Sequence, residues 1–158
     1  MQIIVLSDNH GRSSVVERIV DAHPGCDTYL HLGDSQGGMA HIQELYPNKT
    51  FYCVRGNCDG SCDYPDELEL TFQGHHLLAV HGHQQGVKYS LSALLAEGRR
   101  RGADICLFGH THQPCQQYQD GIYLLNPGSC ARPAQGRPTY GVLDIRRDQG
   151  VLFSLAEV

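Results

Sequence analysis

The chain has 158 residues, 41% hydrophobic and 18% charged, which is enough to bury the core of a single domain over 1–158 without disulfides or structural zinc. A formal net charge of -5 excludes a general nucleic-acid binder, which needs a basic surface to displace counterions from phosphates. No apolar stretch reaches membrane-spanning length, and Asp8 interrupts the opening MQIIVLSDNH too early for a secretory signal, so a cytoplasmic protein with no membrane partner is expected.

In chain order, QIIVLSD reads as a strand. SSVVERIVDAH reads as a helix with Val15, Val16, Ile19 and Val20 on one face, behind serines able to cap it. DTYLHLGD is a second strand, MAHIQELY a short helix stopped by Pro47, and KTFYCVRGN a third strand rich in aromatic and β-branched residues. This alternation predicts an α/β fold whose sheet is parallel at least in part. ELELTF, a turn at Gln73-Gly74 and HHLLAVHGH then read as a hairpin, which makes the sheet mixed.

YSLSALLAEGRRR is a helix whose last turn, Arg99-Arg100-Arg101, offsets the helix dipole and is not a phosphate patch. The strand DICLFGH follows, then CQQYQ and IYLLN around Asp120-Gly121, and TYGVLDIR and VLFSLAEV around Asp148-Gln149-Gly150. The stretch NPGSCARPAQGRP reads as a surface loop. Seven scattered cysteines are expected to be free thiols in a reducing compartment, with Cys53 and Cys106 as small core residues.

Nearly every potential metal ligand sits just after an apolar run: Asp8 and His10, Asp34, Asn57 and Asp59, His81, and the pair His110 and His112. The carboxyl ends of strands are where open α/β sheets bind ligands, so five sequence-distant clusters can converge on one rim. Each alone has a plain reading, since GD and DNH are common turns and lone histidines are usually structural. Together they make a mixed oxygen and nitrogen donor set suited to two divalent first-row ions. Ions roughly 3.5–4 Å apart can share a carboxylate and a hydroxide and clamp a phosphoryl group. Asp34, alone in its cluster, is the natural bridge.

The ordered set DNH at 8–10, GD at 33–34, GNCD at 56–59, HGH at 81–83 and GHTH at 109–112 resembles the calcineurin-like metallophosphoesterase superfamily. Compact size, the cysteine in GNCD and the late NPGS are similar to its small YfcE-like phosphodiesterase branch. The resemblance implies a four-layer α/β/β/α sandwich with two mixed sheets. By matching motif it implies that Asp8, His10, Asp34 and His112 hold one ion, and Asp34, Asn57, His81 and His110 the other. Manganese is the expected metal, with zinc, iron or nickel as alternatives. Asp59 would orient the loop or a ligand by hydrogen bonds, His83 would bind phosphate or water, and Ser129 and Arg132 read as part of an ordinary turn.

The expected function is therefore a phosphodiesterase in which a metal-bridging hydroxide attacks phosphorus in line, acting on a small exposed diester. A homo-oligomer is compatible with it. The alternative is a non-enzymatic protein-binding scaffold on the same fold, like the retromer subunit. Cys58 stands where larger relatives carry a histidine thought to protonate the leaving group. Nearby cations would make it partly thiolate and a poor acid, so a passive or weakly assisting role is expected, ahead of an altered general acid or a zinc site with Cys62.

Overall fold

The computed structural model describes residues 1–147 and 150–158 and contains two five-stranded mixed sheets flanked by helices. In the first sheet β1 (Gln2–Leu6), β2 (Thr28–His31) and β3 (Thr50–Cys53) are parallel, while β9 (Thr139–Arg146) and β10 (Gly150–Glu157) join antiparallel, in the order β10-β9-β1-β2-β3. The second holds β4 (Glu67–Phe72), β5 (His75–Val80), β6 (Ile105–Leu107), β7 (Pro114–Gln119) and β8 (Ile122–Pro127), in the order β4-β5-β6-β8-β7. The predicted hairpin β4–β5 forms, but it begins this second sheet instead of extending the first. The free edge of β1 is taken by β9, and β5 finds its parallel partner in β6.

The period-two alternation of the strands builds the layers. Ile3 and Val5 of β1 face Leu77 and Ala79 of β5 and Ile105 and Leu107 of β6 in a core between the sheets. Ile4 and Leu6 point the other way, onto Val16 and Ile19 of α1 (Ser13–Ala22) and Met39 and Ile42 of α2 (Gly38–Leu45). Leu78 and Val80 pack outward onto Leu94 and Leu95 of α3 (Ser92–Arg101). Three cores separated by two sheets give the four-layer α/β/β/α order. Nearly continuous apolar strands are what sheets covered on both faces require.

Three local expectations resolve differently or more sharply. The serines do not cap α1: Arg12 holds the N-cap position with no side-chain hydrogen bond, because the preceding backbone is tied elsewhere, His10 N–H to Asp34 O and Gly11 N–H to Ser35 O. The NPGS stretch is not at the surface. Residues 126–131 are buried, and only the remainder of that loop is mostly exposed. The arginines do end α3 before Gly102, where Arg101 pairs with Glu97, Glu67 and Glu69 and so fastens the helix to β4. The predicted turn at Asp148-Gln149 lies outside the described residues, and Gly150 pairs with Arg146 in the flanking register. All seven cysteines are free, with Cys26, Cys53, Cys106 and Cys130 buried.

Candidate metal centre

Strands β1, β2, β3, β5 and β6 all end at the same rim, and the five polar clusters follow them there. Carboxylate and imidazole atoms of Asp8, His10, Asp34 and His112 lie within 4.8 Å of one another, as do those of Asp34, His81 and His110. Asp34 belongs to both groups. Its Oδ2 is 3.5 Å from His81 Nε2 and 4.0 Å from His10 Nε2. Asn57 joins the second group, with Oδ1 3.1 Å from His81 Nε2. Asp8, Asp34 and His81 are buried, and His10, His110 and His112 are partly exposed at the rim.

The backbone at the site is unusual. Asp8, His10, Asp34, His110 and His112 all have positive φ, between 46° and 66°. Left-handed backbone costs an L-residue roughly 1–2 kcal/mol, somewhat less for aspartate, and persists only where surrounding structure over-determines it. Here the surroundings do so by hydrogen bonds and by close approach. A Cβ on Gly56 would lie 2.1 Å from Asp34 Oδ1, and one on Gly109 2.0 Å from Ser7 Oγ and 3.0 Å from Asp8 Oδ2. The glycines of GNCD and GHTH are thus needed for carboxylates to pass against the main chain.

Carboxylate oxygens and imidazole nitrogens converge, with ring nitrogens of His81 and His110, and of His10 and His112, 3.2 Å apart. His81 Nδ1 donates to Leu32 O at 2.6 Å, which in the neutral ring leaves the Nε2 lone pair facing Asp34 Oδ2 and Asn57 Oδ1, both acceptors. His112 Nδ1 donates to Arg132 O at 2.6 Å, so its Nε2 lone pair faces Asp8 Oδ1 at 3.2 Å. That Asp8 oxygen is buried with no hydrogen-bond partner. Such clusters of acceptors are stable only around protons or cations.

The charge states agree. Burial alone would raise Asp34, but hydrogen bonds from His81 and the Cys58 N–H outweigh it and hold the carboxyl well below the usual range. His81 is raised because Asp34 and Asp8 outweigh its burial, and His112 is raised chiefly by its contact with Asp8. His10 is lowered, by burial first, and His110 is pushed to about 4 by burial and then by His81. Divalent ions would compete with the protons that these carboxylates draw toward His81 and His112, and the donor set fits them.

A supporting shell surrounds the carboxylates. Asp59 accepts the N–H groups of Asp34 (2.8 Å), Gly56 (2.7 Å) and Gln36 (2.6 Å) and the Ser35 hydroxyl, tying the GD and GNCD loops together. Ser129, read as part of an ordinary turn, is fully buried, donates to Asp8 O and accepts from the N–H of Ala131 and Arg132. Sequence reasoning missed two more. Asn126 holds Gly109 O and Thr111 Oγ1, and His31 receives the Gly33 N–H on Nδ1 and so donates from Nε2 to Asn9. The polar residues in NPGS and the histidine inside an apolar strand were the available signals.

Cys58 is exposed and belongs to neither group; its sulfur accepts from Asn57 Nδ2, which leaves Asn57 Oδ1 toward His81. Cys62 joins no metal-competent group among the described residues. His83 stands beside the second group, its ring 5.4 Å from that of His81, with a buried Nδ1 lacking a partner.

A family model for the calcineurin-like phosphoesterase superfamily domain matches residues 1–148. The probable metallophosphoesterase YsnB of Bacillus subtilis is 33% identical over 94% of this chain and 86% of its own. Phosphodiesterase YfcE of Escherichia coli is 30% identical over 91% and 88%. Among solved structures, a predicted phosphoesterase from Streptococcus pneumoniae superposes with a TM-score of 0.80 at 28% identity, over 99% of this chain and 97% of that one. Vps29 of Entamoeba histolytica superposes at 0.79 with 20% identity, over 100% and 99%, a likeness of fold. This chain belongs to the calcineurin-like phosphoesterase superfamily.

Proposed function

We propose that the chain is a phosphodiesterase working with two divalent ions, one held by Asp8, His10, Asp34 and His112 and the other by Asp34, Asn57, His81 and His110. The observation that carries the reading is that two groups of carboxylate and imidazole atoms, those of each group within 4.8 Å of one another, share Asp34. Ions in these positions would lower the pKa of a shared water and neutralise the phosphoryl oxygens during in-line displacement. The chain's own part is to fix the donors: Leu32 O and Arg132 O set the tautomers of His81 and His112, and Asp59 sets the loops. His83 is the side chain proposed to meet a phosphate oxygen. Manganese is the proposed metal, and a small diester the proposed substrate, the relatives YfcE and YsnB being a phosphodiesterase and a probable metallophosphoesterase.

Five ligand-type residues held at positive φ around one centre favour the enzyme over the alternative of a protein-binding scaffold. The test is to strip the protein, reload it with manganese, zinc, iron or nickel, and measure both metal content and hydrolysis of diesters and monoesters of graded leaving-group pKa. Two ions per chain and turnover of diesters are expected. A reloaded protein that cleaves none of them would hand the reading to the scaffold.

A further inference from the structure

Beside the candidate centre lies an open groove of about 530 Å³ lined by Lys88, Leu91, Phe108, Thr111, Gln113 and Cys115, among others. It adjoins the ligand loops: Thr111 stands between His110 and His112, and Val87, another wall residue, packs against Gly82 between His81 and His83. Its lining is mixed, with Lys88, Thr111 and Gln113 beside apolar side chains. Phe108 is in the core and Leu91 and Cys115 lean against it. The one cation among these lining residues is Lys88, which is exposed.

Phosphorus held by the proposed ions would leave each alcohol of a diester reaching outward, and this groove adjoins the 110–112 loop. The apolar side of the groove, Leu91 and Cys115 over the core, suits a hydrocarbon or aromatic alcohol, and an ammonium at its lip suits the anionic phosphoryl group. Resting on the metal-centre reading above, we propose that this groove is the subsite for the alcohol portion of the substrate, selecting diesters with an apolar or aromatic alcohol, and that Lys88 supplies a positive charge to the phosphoryl group beside the proposed ions.

Calorimetric binding of methylphosphonate and benzylphosphonate to the manganese-loaded protein tests this without turnover. Benzylphosphonate should bind about tenfold more tightly, the effect expected from burying part of one ring. Gln113→Trp, at an exposed position where folding is not at risk, fills the groove and should bring the ratio toward one; Leu91→Ala, which removes a wall, should lower it in the same direction. Lys88→Ala should weaken both ligands severalfold with the ratio kept, less so at high salt. Equal wild-type affinities for the two ligands would overturn the groove, and an unchanged Lys88→Ala would overturn its charge. If neither ligand binds the loaded protein, the metal-centre reading itself fails, a different result from equal binding.

Discussion

Asp34 and His81 meet across the two sheets: the carboxylate just beyond β2 places Oδ2 3.5 Å from Nε2 of the imidazole just beyond β5. No hairpin or local turn joins these strands. Their separation is set by the core between the sheets, where Leu30 and Leu32 pack in one cluster with Leu77 and Ala79. The site is therefore a product of the fold's packing, and among the described residues Asp34 is the one side chain that belongs to both ligand groups.

Asp34→Asn keeps the shape and removes the charge the two groups share. Metal content measured after reloading is expected to fall from two ions toward one or none. Turnover of diesters should drop on the order of 10³-fold, since each ion supplies several kcal/mol of transition-state stabilisation. Two ions with wild-type turnover would remove the bridging assignment.

Asp59 makes the case for indirect support. It belongs to neither ligand group, yet its oxygens receive three backbone N–H groups and one hydroxyl from the two loops that carry Asp34 and Asn57. Asp59→Ala leaves those donors unpaired in a partly buried site. Manganese affinity should weaken about 10–100-fold. The metal-free protein should lose roughly 2–4 kcal/mol in urea denaturation, as for the loss of a multiply bonded charged acceptor. Weaker metal binding at full stability would show that Asp59 acts only on the ions.

Position of the ligands was legible in the sequence because chemistry-bearing residues follow apolar runs, and the rim of an α/β sheet collects such positions. Membership of the sheets was not. The β4–β5 hairpin pairs locally in either arrangement, and only the long-range choices of β9 for β1 and β6 for β5 decide that there are two sheets. The left-handed backbone of Asp8, His10 and Asp34 was equally hidden, because its cause is hydrogen bonding between distant loops. Ser129 and Asn126 looked like turn residues for the same reason: what makes them part of the site is a carbonyl 121 residues away and a loop oxygen 17 residues away.

Gly56 and Gly60 lie four residues apart and should respond differently to alanine. At Gly56 a methyl would collide with Asp34 Oδ1 and with the Asp34 main chain at 2.3 Å, neither of which can yield without moving the ligand. At Gly60 nothing lies within 4 Å, and only the positive φ of 60° is strained. Gly60→Ala is expected to cost roughly 1 kcal/mol and to leave metal affinity alone. Gly56→Ala should cost about 2–4 kcal/mol and weaken manganese binding, read by denaturation and metal titration. Equal costs would show that the close approach is not what selects glycine there.

His31 gives the metal-free protein a dependence on acid. Its ring is buried and pushed to about 4 by that burial, against an ordinary 6.5, and its two nitrogens are committed to Gly33 and Asn9. The unfolded chain thus binds more protons between those values. The stability His31 contributes is present above pH 6.5 and is lost as pH falls toward 4, by roughly 3 kcal/mol. His81 and His112, raised by their carboxylates, act with the opposite sign, so the comparison must be with a variant. The advantage of wild type over His31→Gln in denaturation midpoint-derived stability should shrink by about that amount from pH 7 to pH 4. A gap constant with pH would mean that His31 does not resist its proton in the fold.

Cys58 ends as a question of proton supply. In the protein without ions, burial and then Asp34 raise its thiol, while cations at the neighbouring positions would lower it. Mass-spectrometric alkylation at Cys58 should therefore show a midpoint that falls when manganese is loaded. A thiol drawn toward thiolate is a weak donor, so poor leaving groups should be cleaved slowly. Cys58→His places an imidazole of ordinary pKa near 6.5 at an exposed position beside Asn57, where it can carry a proton to the departing oxygen. Its gain should be largest for leaving groups of highest pKa, which makes the plot of log kcat against leaving-group pKa shallower than in wild type. The same slope in both proteins would show that position 58 takes no part in protonation and serves only to turn the Asn57 amide.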